Sequence, residues 1–214
     1  AVIDLVRKMG VKSPIDPVWP ICVGSAELPV YEVVGAFTTY ANKGIWIEPI
    51  LVNRIEDKNG NVISIFIPKE EEAISEVAAY KMLNLMEGVT KVDGTGIRLR
   101  FKYNFENPIA GKTGTTNNNA DGWFVGIVPD LVTGTWSGGE DMSIRFRNND
   151  LGQGANMALP MWALYMQKIY ADSTLSISRD QFEAPINFNL DLDCDRVNRK
   201  NAGKRKVDDF DEEF

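Results

Sequence analysis

The spacing of hydrophobic positions predicts helices in four parts of the chain. Residues 1–9 have the composition of a helix interior that ends near Gly10, so we expect residue 1 to be a cut end and not a natural start. A second helix fits between Pro29, a favoured first helical residue, and Gly44, a favoured stop. Its apolar residues share one face: Val30, Val33, Val34, Phe37 and Ala41. The last helix begins in the run 159–164 and continues to about Tyr170.

The third predicted helix begins at Ser75, whose side chain is suited to cap it, and ends at Gly94-Thr95-Gly96. Its apolar stripe consists of Ile74, Val77, Ala78, Met82, Leu85, Met86 and Val89. Between the first two helices, residues 11–28 contain three prolines. Because proline disrupts helices and strands, we expect no regular structure in that segment.

Four segments are predicted to be strands. Residues 46–55 and 62–67 flank the sequence Asp-Lys-Asn-Gly-Asn at 57–61, which is a strong hairpin signal. Residues 123–128 and 131–136 are joined by only two residues, and so short a connection requires antiparallel pairing. Residues 123–128 are apolar on both faces, as expected of a central strand that is covered on both sides. Helices before and after these strands predict an antiparallel sheet flanked by helices.

The composition changes near residue 189. Apolar residues become sparse there, and Lys204-Arg205-Lys206 is followed by five acidic residues. We therefore predict a folded domain at 1–188 and a charged, disordered tail at 189–214. Such a tail either docks on a partner or is a solvated terminus, and its composition favours the second interpretation.

Charge and composition exclude several classes of function. The 214 residues carry a net charge of −7, which argues against a surface for nucleic acid or for an anionic membrane. No apolar run reaches the roughly 18–20 residues that span a bilayer. The absence of histidine excludes a Ser-His-Asp triad and a histidine metal site within the chain. Two cysteines, Cys22 and Cys194, make neither a disulfide framework nor a zinc site, and no cofactor is indicated.

One short segment, Lys112-Thr113-Gly114-Thr115-Thr116, combines a cation, three hydroxyls and a position without a side chain. This combination suits the binding of a carboxylate and a carbonyl oxygen. A phosphate-binding loop is a competing interpretation, but Glu106 stands where that loop requires glycine, and a strand is predicted next instead of a helix. A structural glycine turn between strands is the other alternative.

This segment, with Asp121-Gly122-Trp123-Phe124-Val125-Gly126 after it, resembles the third active-site motif of the penicillin-binding proteins. The resemblance covers most of residues 1–185, through the segments 24–29, 36–44, 94–96, 134–136 and 158–160. Their order is most similar to the class A, bifunctional members, although Leu28 stands where a capping threonine is common. The resemblance implies an α+β fold of the β-lactamase/transpeptidase type. The antiparallel sheet flanked by helices would be the C-terminal part of a transpeptidase domain.

The resemblance also implies roles for individual residues. Lys112 would orient the terminal carboxylate of a stem peptide or of penicillin, while Thr113 and Thr115 supply hydroxyl contacts. The backbone N–H of Thr115 would be one of two oxyanion-hole donors. Gly114 would let the substrate backbone lie against the strand, and Thr116 would add to substrate binding. No metal is implied.

The activity implied by the resemblance is D,D-transpeptidation of peptidoglycan. A serine attacks a D-Ala-D-Ala stem peptide, D-alanine leaves, and the acyl group passes to an amine. β-Lactams would be the inhibitors, and the location would be the outer, periplasmic face of the cytoplasmic membrane, through an anchor that this chain lacks. No serine here has lysine three places later or asparagine two places later, so this chain alone is expected to be inactive without the N-terminal part of the domain.

Two alternatives remain open from the sequence. One is a non-catalytic docking module on the same scaffold, and the other is a β-lactamase-like serine hydrolase, which the surroundings of Ala158-Leu159-Pro160 disfavour. Ser25 has no lysine three residues later, so we interpret it as a loop serine near a helix start. Asp121 is interpreted as the end of a loop before a strand and not as a catalytic carboxylate.

Overall fold

A computed structural model of the chain describes residues 1–186 and 188–189. Residues Ala1–Glu183 form one compact unit, and the described residues of a second unit, Ala184–Phe214, have turn or irregular structure. Apart from Asn189, the predicted tail at 189–214 lies outside the described residues, as does Cys194. The predicted boundary between 188 and 189 therefore stays a prediction.

Seven strands form three antiparallel sheets in the described part of the chain. The strands are β1 (Ile45–Ile47), β2 (Arg54–Glu56), β3 (Val62–Ile65), β4 (Glu70–Glu72), β5 (Ala110–Thr115), β6 (Asp121–Val128) and β7 (Leu131–Gly138). β1 pairs with β4, and β2 pairs with β3 as a hairpin. The main sheet has the order β5-β6-β7, which makes β6 its central strand and β5 one of its edges.

Six α-helices occur in the described part of the chain. They are α1 (Val2–Lys8), α2 (Val30–Ala41), α3 (Glu76–Glu87), α4 (Arg98–Phe101), α5 (Asn149–Gly152) and α6 (Gly154–Ala171). Among them, α2, α3 and α6 pack on this main sheet. Short 3-10 turns occur at Trp19–Val23, Gly88–Thr90 and Asn117–Asn119. Ser75 caps α3 as predicted, because its hydroxyl accepts a hydrogen bond from the Ala78 N–H at 3.3 Å.

Hydrophobic packing covers the main sheet on both faces. On one face α6 contributes Leu159, Trp162 and Met166 to a buried cluster with Phe124 of β6. The ring of Trp162 meets that of Phe124 edge-on, with centroids 5.2 Å apart, and burying side chains of this size stabilises the fold by about 1.5–3 kcal/mol each. On the opposite face α2 and α3 pack on the sheet through a second cluster. Its buried members are Leu83, Met86, Ala110, Ile127 and Phe182.

The predicted α+β architecture, an antiparallel sheet flanked by helices, is therefore confirmed. The antiparallel pair 123–128 and 131–136 and the central position of the first of them are confirmed as well, since six of the eight residues of β6 pair with both β5 and β7. The predicted helices ending near Gly10, spanning 29–44 and reaching Tyr170 correspond to α1, α2 and α6.

Two predictions from the hydrophobic pattern are wrong. Residues 46–55 do not form one strand: Pro49 interrupts them, β1 ends at Ile47, and β1 pairs with the acidic strand β4. The stripe predicted for the third helix is also wrong except at Met86, because the buried face of α3 consists of Ala79, Leu83 and Met86, whereas Leu85 is 69% exposed. That helix ends at Glu87, before the Gly94-Thr95-Gly96 segment.

Candidate active site

The Lys-Thr-Gly segment forms the second half of the edge strand β5. Lys112 pairs with Val125, Thr113 with Phe124, Gly114 with Trp123 and Thr115 with Gly122, all on β6. Among the described residues, β5 has no strand partner on its other side. The backbone groups on its outer edge are therefore not used in sheet pairing within the described residues.

The pleat of β5 divides the predicted site residues between two faces. Thr113 and Thr115 lie on the face of α6, because Thr113 pairs with Phe124, which packs on Trp162. Lys112 and Gly114 lie on the opposite face. The Lys112 side chain is exposed, and its ammonium donates to the backbone carbonyl of Thr113. The ammonium of Lys112 and the hydroxyls of Thr113 and Thr115 thus lie at the same edge of the sheet but on its two opposite faces.

Gly114 is constrained by its neighbour across the strand. A Cβ built on it would lie 3.0 Å from the Cβ of Trp123, which is tighter than ordinary van der Waals contact. The glycine therefore keeps β5 flat against β6 at this register, in addition to leaving the strand accessible.

The hydroxyl of Thr115 is held by the start of α6. Its Oγ1 accepts a hydrogen bond from the Gly154 N–H at 3.0 Å, and the helix has no side-chain cap from its own N-cap residue Gln153. The helix start lies so close to the strand that a Cβ on Gly154 would be 2.2 Å from the carbonyl oxygen of Gly114. Thr115 and Gly154 thus fix α6 on the end of β5.

The backbone N–H of Thr115 points away from β6. The next residue, Thr116, donates its N–H to the carbonyl of Asp121 at 3.2 Å, toward β6. Because successive N–H groups of a strand point to opposite sides, that of Thr115 is directed to the open outer edge. This is the orientation that an oxyanion donor on β5 requires.

Thr116 closes the connection between β5 and β6. Its Oγ1 accepts from the Asp121 N–H at 2.9 Å and lies 3.3 Å from the Asp121 carbonyl oxygen, to which it donates. Asp121 begins β6, as expected of a residue at the end of a loop, and its carboxylate accepts the indole N–H of Trp136 at 3.0 Å. The contact of Thr116 with a substrate stays a prediction, since its hydroxyl is used within this turn.

One polar residue at this edge was missed as a site residue by the sequence. The Oγ1 of Thr95 lies 2.8 Å from that of Thr113, although Gly94-Thr95-Gly96 was predicted to end a helix and to be one segment of the family resemblance, without a site role for Thr95. The sequence signal that could have identified Thr95 is the pair of glycines on either side of it. Ser25, in contrast, is an exposed loop residue between a 3-10 turn and α2, as predicted.

Neither a metal-ligand cluster nor a membrane-spanning helix occurs in the described part of the chain. Over residues 1–186 and 188–189, no three acidic or cysteine side chains come together in a way that would hold a metal ion. The same residues include no helix with the length and apolar character needed to cross a bilayer.

The family model of the penicillin-binding protein transpeptidase domain matches residues 24–136, which is more than half of the chain. Penicillin-binding protein 1A of Aquifex aeolicus is 29% identical over 185 residues, covering 85% of this chain and 24% of its own length. Penicillin-binding protein 1B of Vibrio cholerae is 32% identical over 197 residues, covering 89% of this chain and 24% of its own. The chain thus spans about a quarter of the length of these curated relatives.

Solved structures share the fold. The crystal structure of penicillin-binding protein 1A from Haemophilus influenzae superposes with a TM-score of 0.69 at 23% identity, covering 85% of this chain and 32% of that one. The PonA1 protein of Mycobacterium tuberculosis in complex with penicillin V superposes with a TM-score of 0.67 at 21% identity, covering 86% and 52% respectively. At these identities the likeness concerns the fold.

Proposed function

The chain belongs to the penicillin-binding protein transpeptidase family, and from this membership we propose that it forms the Lys-Thr-Gly side of a serine-acylating D,D-transpeptidase site. One observation carries the proposal: the Lys-Thr-Gly segment lies on an edge strand whose outer side is open among the described residues. A peptide or β-lactam that lies along this edge meets Lys112, Thr113 and the N–H of Thr115 in order.

The chemistry follows from the groups at this edge. The ammonium of Lys112 attracts the carboxylate at the end of the substrate, and the hydroxyl of Thr113 donates to the same carboxylate. The Thr115 N–H stabilises the negative charge that develops on the attacked carbonyl oxygen, and such a donor typically accounts for about 10²–10³ in rate. Gly114 leaves room for the substrate backbone between them.

The complete reaction requires a nucleophile from another segment. No serine of this chain is followed by lysine three residues later, so we propose that a Ser-x-x-Lys segment elsewhere in the parent protein completes the site. The serine oxygen attacks the carbonyl of a D-Ala-D-Ala stem, its proton passes to the lysine base, and D-alanine leaves. An amine of a second stem then takes the acyl group and frees the serine. The relative in complex with penicillin V supports β-lactams as ligands of the assembled site.

The substrate and location follow from the same proposal. The donor and acceptor are peptidoglycan stem peptides, and the reaction takes place on the periplasmic side of the cytoplasmic membrane. The names of the relatives, penicillin-binding proteins 1A and 1B, support a class A parent protein.

Replacement of Lys112 tests the proposal in the full-length protein that carries this chain. A charge-assisted hydrogen bond to a carboxylate is worth about 1.5–3 kcal/mol, so Lys112→Ala is expected to slow acylation by a fluorescent penicillin about 10- to 100-fold. Lys58→Ala is the matched control, because Lys58 is an exposed lysine at the tip of the β2–β3 hairpin. Circular dichroism shows whether both variants are folded.

Two further results test the proposal, and the second distinguishes it from the non-catalytic alternative. The chain 1–214 alone, denatured after incubation with penicillin, should show no acyl adduct by mass spectrometry. A folded Lys112→Ala protein that acylates at the parent rate would place Lys112 outside the site. The chain would then have a transpeptidase fold with a docking role, as in the non-catalytic alternative.

A further inference from the structure

A hydroxyl from outside β5 contacts the proposed carboxylate-binding threonine. The Oγ1 atoms of Thr95 and Thr113 are 2.8 Å apart, within the normal range for an O–H···O hydrogen bond. Thr95 is exposed and Thr113 is half-buried, so the pair lies at the surface of the edge where a substrate would bind. Thr95 is 18 residues away in sequence, and its position therefore depends on the fold of its own segment.

The glycines beside Thr95 bring it to this position. The Gly96 N–H donates to the Val89 carbonyl at 2.7 Å, which folds residues 89–96 into a tight loop. A Cβ on Gly94 would lie 2.3 Å from the Val89 oxygen, and one on Gly96 would lie 3.0 Å from the same oxygen. Side chains at these two positions would thus displace the loop, and with it the Thr95 hydroxyl.

The loop is tied to the start of β5 by a buried threonine and an arginine. Thr90 is fully buried, and its hydroxyl donates to the carbonyl of Ile109, the residue before β5, at 2.8 Å. The guanidinium of Arg100 donates to the backbone carbonyls of Thr90, Phe105 and Asn107 and to the Thr90 hydroxyl. Hydrogen bonds therefore tie the segment that carries Thr95 to the start of β5.

The direction of the proton decides what Thr113 can bind. A threonine hydroxyl has one proton and two acceptor lone pairs, whereas a carboxylate only accepts. If Thr113 donates to Thr95, it has no proton left for a carboxylate. If Thr95 donates, Thr113 keeps its proton, and the first bond polarises the second. Thr115 shows the same arrangement on the same strand face, because its oxygen accepts from the Gly154 N–H and its proton stays available.

We propose that Thr95 is a positioning residue, which donates its hydroxyl proton to Thr113 and so directs the Thr113 proton to the substrate carboxylate. This inference rests on the proposed function, since it needs Thr113 to bind a carboxylate. It adds a residue that acts through another and does not itself touch the reacting atoms.

Acylation rates of variants of the full-length protein test this role. Thr95→Val has nearly the shape of threonine without the hydroxyl, and loss of one such bond is expected to slow acylation by a fluorescent penicillin about 3- to 10-fold. Thr95→Ser keeps the hydroxyl and should stay within about 2-fold of the parent. Thr174→Val is the control, because the Thr174 hydroxyl bonds locally to Asp172 after α6.

A double-mutant cycle separates positioning from a structural effect. In a Thr113→Val background, Thr95→Val should have almost no further effect, because the residue through which it acts is absent. A penicillin whose carboxylate is esterified should likewise be insensitive to Thr95→Val. A merely structural role would slow the reaction in both cases.

The outcomes separate this inference from the proposed function. If Thr113→Val acylates at the parent rate, the assignment of β5 as the substrate-binding strand fails, and the role of Thr95 fails with it. If Thr113→Val is slow but Thr95→Val is not, or if the two effects multiply independently, only the positioning role of Thr95 is refuted.

Discussion

Replacement of Thr115 by valine should weaken the attachment of α6 to β5. The Thr115 hydroxyl accepts the N–H of Gly154, the first residue of an 18-residue helix, at 3.0 Å. The first N–H groups of a helix have no partner within it, and the N-cap residue Gln153 supplies no side-chain cap here. Thr115, on a neighbouring strand, thus caps the start of this helix as a hydrogen-bond acceptor.

The size of the effect follows from capping energies. Removal of a capping hydroxyl typically costs about 1 kcal/mol, within a range of about 0.5–2. Valine is as favourable as threonine in a strand, so the lost acceptor should dominate. For a domain of this size, 1 kcal/mol lowers the thermal midpoint by about 2–4 °C. We therefore expect Thr115→Val to melt about 2–4 °C below the parent chain.

The assay is thermal unfolding followed by tryptophan fluorescence, with Thr113→Val as the matched control. That control makes the same substitution on the same face of β5, but within the described part of the chain its hydroxyl bonds to the exposed Thr95 hydroxyl and not to a helix start. It should change the free energy of unfolding by less than about 0.5 kcal/mol. Thr115→Ser retains the acceptor and should melt close to the parent.

Equal midpoints for Thr115→Val and Thr113→Val would refute the capping role, as would a Thr115→Ser protein destabilised as much as Thr115→Val. The distinction matters for any kinetic test of Thr115. A slower Thr115→Val enzyme can result from a displaced α6 or from the lost hydroxyl contact with the ligand, whereas the backbone N–H of residue 115, the proposed oxyanion donor, is unchanged by the substitution.

Two further substitutions test the packing that supports the site. Gly126→Ala places a Cβ 2.4 Å from the ring of Trp162 and should destabilise the chain by about 1–3 kcal/mol. The control Gly88→Ala, whose Cβ would meet no atom of the described residues within 4 Å, should be neutral or stabilise the chain by up to about 1 kcal/mol. Equal urea midpoints for the two variants would contradict the close packing of α6 on β6. Arg100→Lys should lower the free energy of unfolding by about 1–3 kcal/mol, because an ammonium cannot make the several hydrogen bonds by which the guanidinium joins residues 90 and 107. A urea midpoint equal to that of the parent would show that these hydrogen bonds do not hold the loop.

The sequence predicts the main sheet well because its signals are local. Residues 123–128 are apolar on both faces, and the two-residue connection after them is too short for anything but antiparallel pairing with the following strand. The sequence fails at β4, since Glu70–Glu72 is an acidic strand with three exposed side chains. Nothing in its own hydrophobic pattern indicates a strand, and only pairing with β1 makes it one.

The rotation of α3 could not be predicted from periodicity either. Apolar residues occur on several sides of this helix, so more than one stripe fits the sequence. The choice is made by the sheet, since Leu83 and Met86 pack with Ala110 of β5 and Ile127 of β6. Leu85, part of the predicted stripe, is left exposed. Contact with β5 thus overrides a weak amphipathic signal.

The candidate site shows the same division between local and long-range information. The Lys-Thr-Gly segment is recognisable because its residues are consecutive, but the partners of Thr113 and Thr115 are 18 and 39 residues away. The hydrogen bonds distinguish three threonine hydroxyls that look equivalent in sequence. Thr116 both accepts from and donates to Asp121, so its proton is used within the turn. Thr115 accepts from Gly154 and keeps its proton. Thr113 keeps its proton if Thr95 donates, so two of the three hydroxyls, both on the α6 face of β5, are left to meet a ligand.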